Sequence, residues 1–292
     1  MTEIRKIGII ANVYKEKSVE YARELRDWLR QRGLEVVFEK GVADKTGETG
    51  IYTKETLAAM VDMVVVFGGD GTLLMAARSL REFSVPILGV NLGGFGFLTV
   101  VNLQEMFSDL EMILQGNCRI EKRMMLDASV SRDDRLIAEY TVLNDAVISR
   151  GSLCRLLDME TLVDDQYMTT YKADGLIVST PTGSTAYSLS AGGPIVMPQL
   201  DSIIVNPICP HTLTNRPVIL PQDATVKISS WTREGYATLT LDGQISCQLE
   251  PTDLVTVRKS RYYTNLIMSP HRDYLEILRT KLGWGGLSAP AK

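Results

Sequence analysis

The sequence predicts two domains of different class: an α/β domain with a parallel sheet over residues 1–122, and a mainly β, sandwich-like domain over residues 123–270. In the first part, apolar strand-like runs alternate with amphipathic helical segments, which is typical of a parallel sheet with helices on its faces. In the second part, short β-type runs follow one another, with hairpin turn signals at residues 132–135 and 163–166.

The first domain is predicted to alternate strands and helices. The pattern predicts strands over residues 6–11, 34–38, 64–67 and 85–90, and helices that start at Ser18 and Thr72 or cover residues 102–115. Ser18 is the expected N-cap of the first helix, and Gly33 marks its end. The polar segment 41–54 is expected to be a surface loop, with a mobile lid as the alternative. A final helix over residues 274–282 and a disordered tail over 285–292 complete the chain.

Composition argues against several classes of protein. The 292 residues carry 31 Lys and Arg against 35 Asp and Glu, a net charge of −4, which argues against a nucleic-acid or anionic-membrane surface. We expect no signal peptide and no membrane span, because no apolar run is long enough. Four scattered cysteines are typical of free thiols in a reducing compartment and predict a cytoplasmic protein. Two histidines are too few for a His-rich metal site.

One stretch organises the first domain: a buried strand, the turn Gly68-Gly69-Asp70-Gly71, and a helix that opens at Thr72. In an open α/β sheet, ligands bind at the carboxyl ends of the strands, where helix N-termini attract anions and glycines admit a phosphate to the backbone. A carboxylate there repels phosphate unless a metal or a departing proton lies between them. From the residues alone, Asp70 is either a general base or metal-side residue, or a helix N-cap.

Two further segments place glycine or hydroxyl groups at turns. Residues 91–98 form a second glycine-rich turn after a strand, and the two turns are expected to form opposite walls of one crevice. Residues 179–190 hold seven Ser and Thr side chains together with Tyr187. A turn and a short helix over 184–190 suit a ligand rich in hydroxyls and rings, such as a nucleoside. A flexible loop, with Tyr187 packed on the core, is the alternative.

The order of these motifs resembles the NAD kinases, which phosphorylate the 2′-hydroxyl of the adenosine ribose of NAD to give NADP. The resemblance covers nearly the whole chain. It rests on Gly68-Gly-Asp-Gly-Thr72, Gly89-Val-Asn-Leu-Gly93 with Gly96-Phe-Leu98, Asn144-Asp145, Asp174-Gly175, residues 180–194, Pro210-His-Thr-Leu213 with Arg216-Pro217, and Asp242-Gly-Gln244. The first motif is shared with lipid kinases, whereas the motif over residues 181–187 in a second β domain is highly specific.

The resemblance implies an α/β N-terminal domain, onto which a terminal helix over residues 271–284 returns, and a β-rich, NAD-binding C-terminal domain. Asp70 would be the catalytic general base toward the ribose hydroxyl. The positions that the resemblance assigns to substrate binding are Gly68, Gly69, Gly71, Thr72, Asn91, Asn144, Asp145, Arg155, Lys172, Asp174, Thr185, Ala186, Tyr187, Ser188, Leu189, Ser190 and Gln244. The family's usual pair at 144–145 is Asn-Glu. Because Asp145 is one methylene shorter, a bridging water is expected to complete its contact.

ATP and NAD are the implied substrates. The sequence has no Gly-x-x-x-x-Gly-Lys-Ser/Thr loop, so it is not a P-loop enzyme. A divalent cation, Mg²⁺, is expected to arrive with ATP, without dedicated protein ligands. The family implies a homodimer or homotetramer. Two alternatives stay open: a lipid-type kinase, which would add an apolar or basic membrane-facing surface, and a non-catalytic dinucleotide sensor, in which Asp70 would only cap a helix.

Overall fold

The computed structural model of the chain describes residues 4–48, 50–151, 156–232 and 235–284. The chain divides into two compact units, one formed by residues 1–122 with 264–292 and the other by residues 123–263. Among the described helices, none is both long and apolar enough to cross a membrane. The expected disorder of residues 285–292 concerns a segment outside the described ranges.

Strands and helices alternate through the first unit. They are β1 (Lys6–Ala11), α1 (Glu16–Arg30), β2 (Glu35–Phe38), α2 (Lys40–Thr46), α3 (Lys54–Ala58), β3 (Met63–Phe67), α4 (Asp70–Leu80), β4 (Ile87–Asn91), β5 (Val101–Asn102) and α5 (Met106–Leu114). The strands pair in the order β2-β1-β3-β4, all parallel. On the other side of β4, Leu266 pairs in parallel with Ile87. The predicted α/β class with a parallel sheet is confirmed.

The topological switch point of this sheet lies between β1 and β3. The chain leaves β1 toward β2 on one side, and it leaves β3 toward β4 on the opposite side. All five residues of β3 are buried, as expected for a strand covered by helices on both faces. Ligands of open α/β sheets bind at such a switch point. The turn that starts at Gly68 follows β3 directly and therefore lies at this position.

Several predicted boundaries in this unit are wrong. The helix predicted to start at Ser18 begins at Glu16 with Lys15 as N-cap, and Ser18 is buried within it. Segment 41–54 is not one loop, because Val42 and Ala43 are buried and the Glu39 side chain caps α2 by accepting from the Gly41 N–H. The helix predicted over 102–115 is shorter, since residue 102 belongs to β5.

The second unit consists mainly of antiparallel strands. They are β6 (Arg119–Arg132), β7 (Arg135–Val142), β8 (Asp145–Arg150), β9 (Leu157–Val163), β10 (Gln166–Ala173), β11 (Gly175–Ser179), β12 (Ser202–Ile208), β13 (Val218–Pro221), β14 (Val226–Trp231), β15 (Ala237–Leu241), β16 (Ile245–Leu249) and β17 (Asp253–Met268), with the single-turn helix α6 (Tyr187–Ser190) before β12. The last part of β17 and helix α7 (Tyr274–Leu282) belong to the first unit.

Two sheets pack face to face in the second unit. One has the order β13-β12-β11-β8-β15-β16, and the other contains β10, β9, β14, β17, β6 and β7. Their inward side chains form one core, with Leu126 and Val226 from one sheet against Ile148 and Leu239 from the other. This arrangement confirms the predicted mainly β, sandwich-like class.

Both predicted hairpin turns are present in the second unit. Each is a two-residue turn in which both aspartates have positive φ: Asp133 and Asp134 between β6 and β7, and Asp164 and Asp165 between β9 and β10. Two positive φ values are the signature of a type I′ turn, and Asp tolerates that conformation better than most residues. The short helix predicted over 184–190 is instead a 3₁₀ turn at Thr182–Thr185 followed by α6.

Candidate active site

The Asp70 carboxylate lies at the amino end of α4 but does not cap it. Gly69 occupies the N-cap position, and Asp70 is the first helical residue. Its carboxylate turns toward residues 97–99, which come from the second glycine-rich turn. The structure therefore brings the two predicted turns together and decides against the N-cap interpretation.

Four donors hold the Asp70 carboxylate, and they are divided unequally. Oδ1 accepts the backbone N–H groups of Leu98 (3.2 Å) and Thr99 (3.0 Å) and the Thr99 hydroxyl (2.8 Å). Oδ2 accepts the backbone N–H of Phe97 (2.9 Å). A carboxylate oxygen has two lone pairs, so Oδ1 is saturated by the described residues. Oδ2 is the oxygen with acceptor capacity left for a ligand proton.

Asn91 acts on this turn through Thr99. Its Nδ2 donates to the Thr99 hydroxyl oxygen at 2.8 Å, and its Oδ1 accepts the Gly93 N–H at 3.1 Å. The fully buried Thr99 hydroxyl therefore accepts from Asn91 while it donates to Asp70, a chain of hydrogen bonds that fixes the direction of each donor. Sequence reasoning missed Thr99. The sequence feature that points to Thr99 is its position as a hydroxyl residue directly after the Gly-Phe-Gly-Phe-Leu run.

Glycine is required where the two turns meet. A Cβ on Gly96 would lie 2.0 Å from Oδ1 of Asp70 and 2.5 Å from Oγ1 of Thr99. A Cβ on Gly68 would lie 2.3 Å from Oγ1 of Thr72. A Cβ on Gly69, in contrast, would meet no atom within 4 Å. The backbone is therefore tight against Asp70 and open beside Gly69, where an anion could approach the start of α4.

In the second unit, Asp242 organises the Asn144-Asp145 pair. Its carboxylate accepts the backbone N–H groups of Leu143 (3.2 Å), Asn144 (2.7 Å) and Asp145 (3.2 Å). The Asp242 N–H in turn donates to the Asp145 carbonyl at 2.9 Å. Asp242, at φ 48°, and Gly243, at φ 65°, make the turn after β15, and the exposed Gln244 follows. Asp242 thus serves the fold of the pair.

The Asp145 side chain is nearly inaccessible. Burial, with a smaller contribution from the negative charge of Asp242, raises the pKa of Asp145 to about 7. A carboxyl group in this environment exchanges its proton near neutral pH and can either donate or accept a hydrogen bond. Asn144 keeps part of its surface exposed, and its carbonyl accepts the Thr180 N–H at 2.8 Å.

The hydroxyl-rich segment divides into inward and outward side chains. Five of its Ser and Thr side chains are buried, and three of these show how the loop is held: Thr180 donates to the Leu143 carbonyl (2.6 Å), Ser184 donates to the Pro181 carbonyl (2.7 Å), and Ser188 accepts from Nδ2 of Asn206 (3.2 Å). The side chains that keep solvent-accessible surface are those of Thr185, Ala186, Tyr187, Leu189 and Ser190. Of the predicted run, Ser188 alone is turned fully into the fold.

The predicted residues of the second unit lie at both ends of β11. At one end, Ser179 pairs with Asp145. At the other end, Gly175 pairs with Ser149, beside Asp174, roughly 13 Å away at ~3.3 Å per residue. Helix α6 lies over the sheet between them, since Asn206 pairs with Ile177 in the middle of β11 and donates to the Ser188 carbonyl. The candidate residues thus lie along the length of β11, and this arrangement suits an extended ligand.

Near the Gly175 end of β11, charged side chains pair with each other. Nε of Arg150 donates to Oδ1 of Asp174 at 2.9 Å, and Nζ of Lys172 lies 3.6 Å from Oδ1 of Asp158. Sequence reasoning missed Arg150, which only the pairing of β8 with β11 brings to Asp174. Arg155, the remaining predicted contact, lies outside the described residues.

Comparison with known families agrees with this geometry. The family model described as ATP-NAD kinase N-terminal domain matches residues 7–118, and the one described as ATP-NAD kinase C-terminal domain matches residues 143–269. The NAD kinase of Geobacter metallireducens is 50% identical over 282 residues, which are 97% of this chain and 99% of that protein. The NAD kinase of Syntrophotalea carbinolica is 47% identical over 283 residues, with the same coverage.

Solved structures show the same fold. Yeast NADH kinase complexed with NADH superposes with a TM-score of 0.89 at 26% identity, over 100% of this chain and 91% of that one. An NAD kinase from Archaeoglobus fulgidus in complex with ATP shares the fold with a TM-score of 0.72 at 23% identity, over 95% and 97% of the two chains. Together with the family models and the full-length relatives, these matches show that the chain belongs to the NAD kinase family.

Proposed function

We propose that this member of the NAD kinase family transfers the terminal phosphoryl group of ATP to the 2′-hydroxyl of the adenosine ribose of NAD, with Asp70 as the general base. The observation that carries the proposal is the unequal distribution of hydrogen-bond donors over the two oxygens of the Asp70 carboxylate. Oδ1 is held by three donors, whereas Oδ2 has one donor and can accept the proton of an alcohol. The rigid side of the carboxylate orients it, and the other side is free to react.

The proposed step balances as an alcohol phosphorylation. The ribose oxygen forms a bond to the γ-phosphorus of ATP, its proton passes to Oδ2 of Asp70, and the bond from that phosphorus to the β-γ bridging oxygen breaks to release ADP. Help of this kind from a positioned carboxylate is typically worth ~100- to 10,000-fold. The remaining acceleration comes from positioning and from neutralising charge on the phosphates.

The start of α4 is the proposed phosphate site. Gly68, Gly69, Gly71 and Thr72 surround the amino end of α4, and no side chain stands in front of Gly69. The N–H groups of Gly68 and Thr72 already donate to the carbonyls of Val90 and Gly69, so the open backbone beside Gly69 supports the proposal. Among the described residues, no group of three or more His, Cys, Asp or Glu could hold a metal. We therefore assign the divalent cation to the ATP phosphates, as part of the substrate.

The second unit supplies the proposed dinucleotide contacts. Asn144 and Asp145 are the proposed partners of ligand hydroxyl groups, and the hydrogen bonds from their backbone N–H groups to Asp242 support this by fixing their positions. The accessible side chains of residues 185–187, 189 and 190, with Tyr187 48% exposed, suit the ring systems of NAD. Lys172, Asp174 and Gln244 are the proposed polar contacts. The roughly 13 Å between the two ends of β11 matches an extended ligand better than a compact one.

The test is a coupled assay in which NAD, ATP and Mg²⁺ are mixed with the protein and NADP is read with an NADP-specific dehydrogenase. We expect wild-type protein to form NADP, and Asp70→Asn to bind NAD while losing turnover by at least ~100-fold. Asp62→Asn is the matched control, because the Asp62 carboxylate also accepts two backbone N–H groups, from Arg5 and Lys6, in the same unit. Wild-type turnover in Asp70→Asn would refute the base assignment. NAD binding without NADP formation by the wild type would favour a sensor.

A homodimer or homotetramer is also part of the proposal. Leu136 and Ile137 are neighbours on β7 and are 64% and 54% exposed, and among the described strands β7 pairs with β6 alone. An apolar strand edge of this kind is normally covered. Light scattering of wild type and of Ile137→Lys tests this: a wild-type monomer would refute the assembly.

The three described cysteines are free, which agrees with the proposed cytoplasmic location.

A further inference from the structure

The turn that surrounds Asp70 is rich in glycine and needs support. Gly93, Gly94 and Gly96 lie between β4 and β5, and glycine loses more conformational freedom on ordering than any other residue. The backbone donors of residues 97–99 can orient the carboxylate only while this turn keeps one conformation. The support must come from contacts on the outer side of the turn, away from Asp70.

Arg272 provides such contacts after the turn. Its guanidinium makes two parallel bonds to Glu105, at 2.6 Å to Oε2 and 2.5 Å to Oε1, and Nη1 also donates to the Val100 carbonyl at 3.3 Å. The Arg272 side chain is 12% exposed, and the pKa of Glu105 is lowered by this pair. Fork-to-fork pairing of this kind fixes both position and direction. The contacts of Arg272 therefore join the residues just after Thr99 to the segment just before α7.

Phe95 provides the contact within the turn. The guanidinium carbon of Arg272 lies 4.9 Å from the centre of the Phe95 ring, and Nζ of Lys281 lies 5.7 Å from it. Both distances allow cation–π attraction, which is stronger at partly desolvated sites. Arg272 lies two residues before α7, and Lys281 lies in its last turn. The ring thus attaches the glycine-rich segment to the C-terminal helix.

The C-terminal segment is itself anchored. Asp109 of α5 is fully buried, and its carboxylate lies 3.1 Å from Nε2 of His271 and accepts the Ser269 hydroxyl at 3.3 Å. Ile277 and Leu278 of α7 are buried. Arg272 therefore projects from a fixed backbone, which a side chain needs if it is to hold another segment in place.

We infer that Arg272 is a positioning residue for Asp70: by holding Phe95, Val100 and Glu105 from a fixed backbone, it keeps the N–H groups of residues 97–99 on the Asp70 carboxylate. Residues 270–284 lie beyond the segments that the two family models match, 7–118 and 143–269. The functional consequence of the inference rests on the proposed role of Asp70 as the base. The structural consequence does not.

The experiment combines hydrogen exchange with kinetics on the full chain. In Arg272→Met, we expect the amides in the peptide that covers residues 95–101 to exchange at least about tenfold faster. We expect kcat to fall about 10- to 100-fold, with KM for NAD and ATP changed less than about twofold, because the variant displaces a reacting group and leaves substrate contacts intact. Arg272→Lys, which keeps the charge but loses the fork, is expected to recover only part of kcat.

Arg132→Met is the matched control, because Arg132 makes an equivalent pair with Asp253, at 2.7 and 3.1 Å, in the other unit. It is expected to leave exchange at residues 95–101 and kcat unchanged. Should Arg272→Met fail to fold, Phe95→Leu removes the ring face but leaves the Arg272–Glu105 pair, and faster exchange of the same amides is again expected.

Unchanged exchange at residues 95–101 in both Arg272→Met and Phe95→Leu would overturn the inference. So would an Arg272→Met effect confined to KM. If Asp70→Asn kept wild-type turnover, the base assignment would fail, while faster exchange in Arg272→Met would still support the role of Arg272 in holding residues 95–101. The two failures are therefore distinguishable.

Discussion

The Thr99 hydroxyl donates to Oδ1 of Asp70 at 2.8 Å while it accepts a hydrogen bond from Nδ2 of Asn91 at 2.8 Å. A hydroxyl has one proton to donate, so the bond from Asn91 determines that Thr99 gives this proton to Asp70. The hydrogen bonds of Asn91 to Thr99 and Gly93 orient the turn around the carboxylate. A substrate contact of Asn91, which the family resemblance implies, stays a prediction.

Removing the Thr99 hydroxyl is predicted to lower turnover. Thr99→Val keeps the shape but deletes a donor to a charged group, which is worth ~1.5–3 kcal/mol and therefore about 10- to 100-fold in kcat. Thr99→Ser keeps the hydroxyl and should recover most of the rate. The control is Thr161→Val, since Thr161 is equally buried but donates only weakly, at 3.4 Å, to the Met159 carbonyl. Equal kcat values in Thr99→Val and Thr99→Ser would contradict the orienting role.

A side chain at residue 96 is predicted to disable the site. In Gly96→Ala the new Cβ would lie 2.0 Å from Oδ1 of Asp70, so the carboxylate or the turn must move. We expect turnover to fall at least ~100-fold and the free energy of unfolding to fall by about 1–3 kcal/mol. Gly94→Ala is the matched control in the same turn, because a Cβ there meets nothing within 4 Å. Coupled assays and thermal melts of both variants check the prediction, which fails if the two behave alike.

Asp145 is predicted to make the stability of the protein depend on pH. Its pKa is raised from 3.8 to about 7 in the folded chain, so between these values the folded state holds a proton that the unfolded state has lost. Stability therefore falls as pH rises from about 4 to about 7, by on the order of 4 kcal/mol in total, and stays low above that range.

Urea unfolding at pH 5 and pH 8 measures this effect. Asp145→Asn removes the buried ionisation, so the variant should lose less stability than wild type between the two pH values. The control is Asp134→Asn, in the exposed turn between β6 and β7, where the substitution should change nothing. A wild-type pH dependence in Asp145→Asn would show that Asp145 titrates normally in the folded state.

Asp242 is predicted to act on substrate binding through the backbone. Asp242→Asn weakens acceptance from three consecutive N–H groups at residues 143–145, so Asn144 and Asp145 lose their fixed positions. We expect KM for NAD to rise about tenfold, while KM for ATP changes little. Asp164→Asn is the matched control, because Asp164 also has a positive φ at a hairpin and accepts one backbone N–H, from Thr225. An unchanged KM for NAD would assign Asp242 to folding alone.

The class of both units and the hairpin turns were predictable from local sequence because each depends on periodicity and on short-range backbone preferences. Buried runs such as 64–67 and aspartate pairs such as Asp133-Asp134 carry their structural meaning within a few residues. Boundaries were less predictable. Ser18 is a good cap by type, yet burial of that face of α1 places the residue inside the helix and leaves the cap position to Lys15.

The sequence by itself determined that Asp70 stands on a glycine turn between a buried strand and a helix, since strand, turn and helix are adjacent in the chain. Only the tertiary structure decided which atoms face that carboxylate. Residues 97–99 are 27 to 29 positions from Asp70 in the sequence, and Arg272 is 167 positions from Glu105. Such contacts follow from the pairing of β3 with β4 and from the return of the chain at Leu266 beside Ile87. Local propensity contains no information on these pairings, because they are set by packing between segments that are distant in sequence.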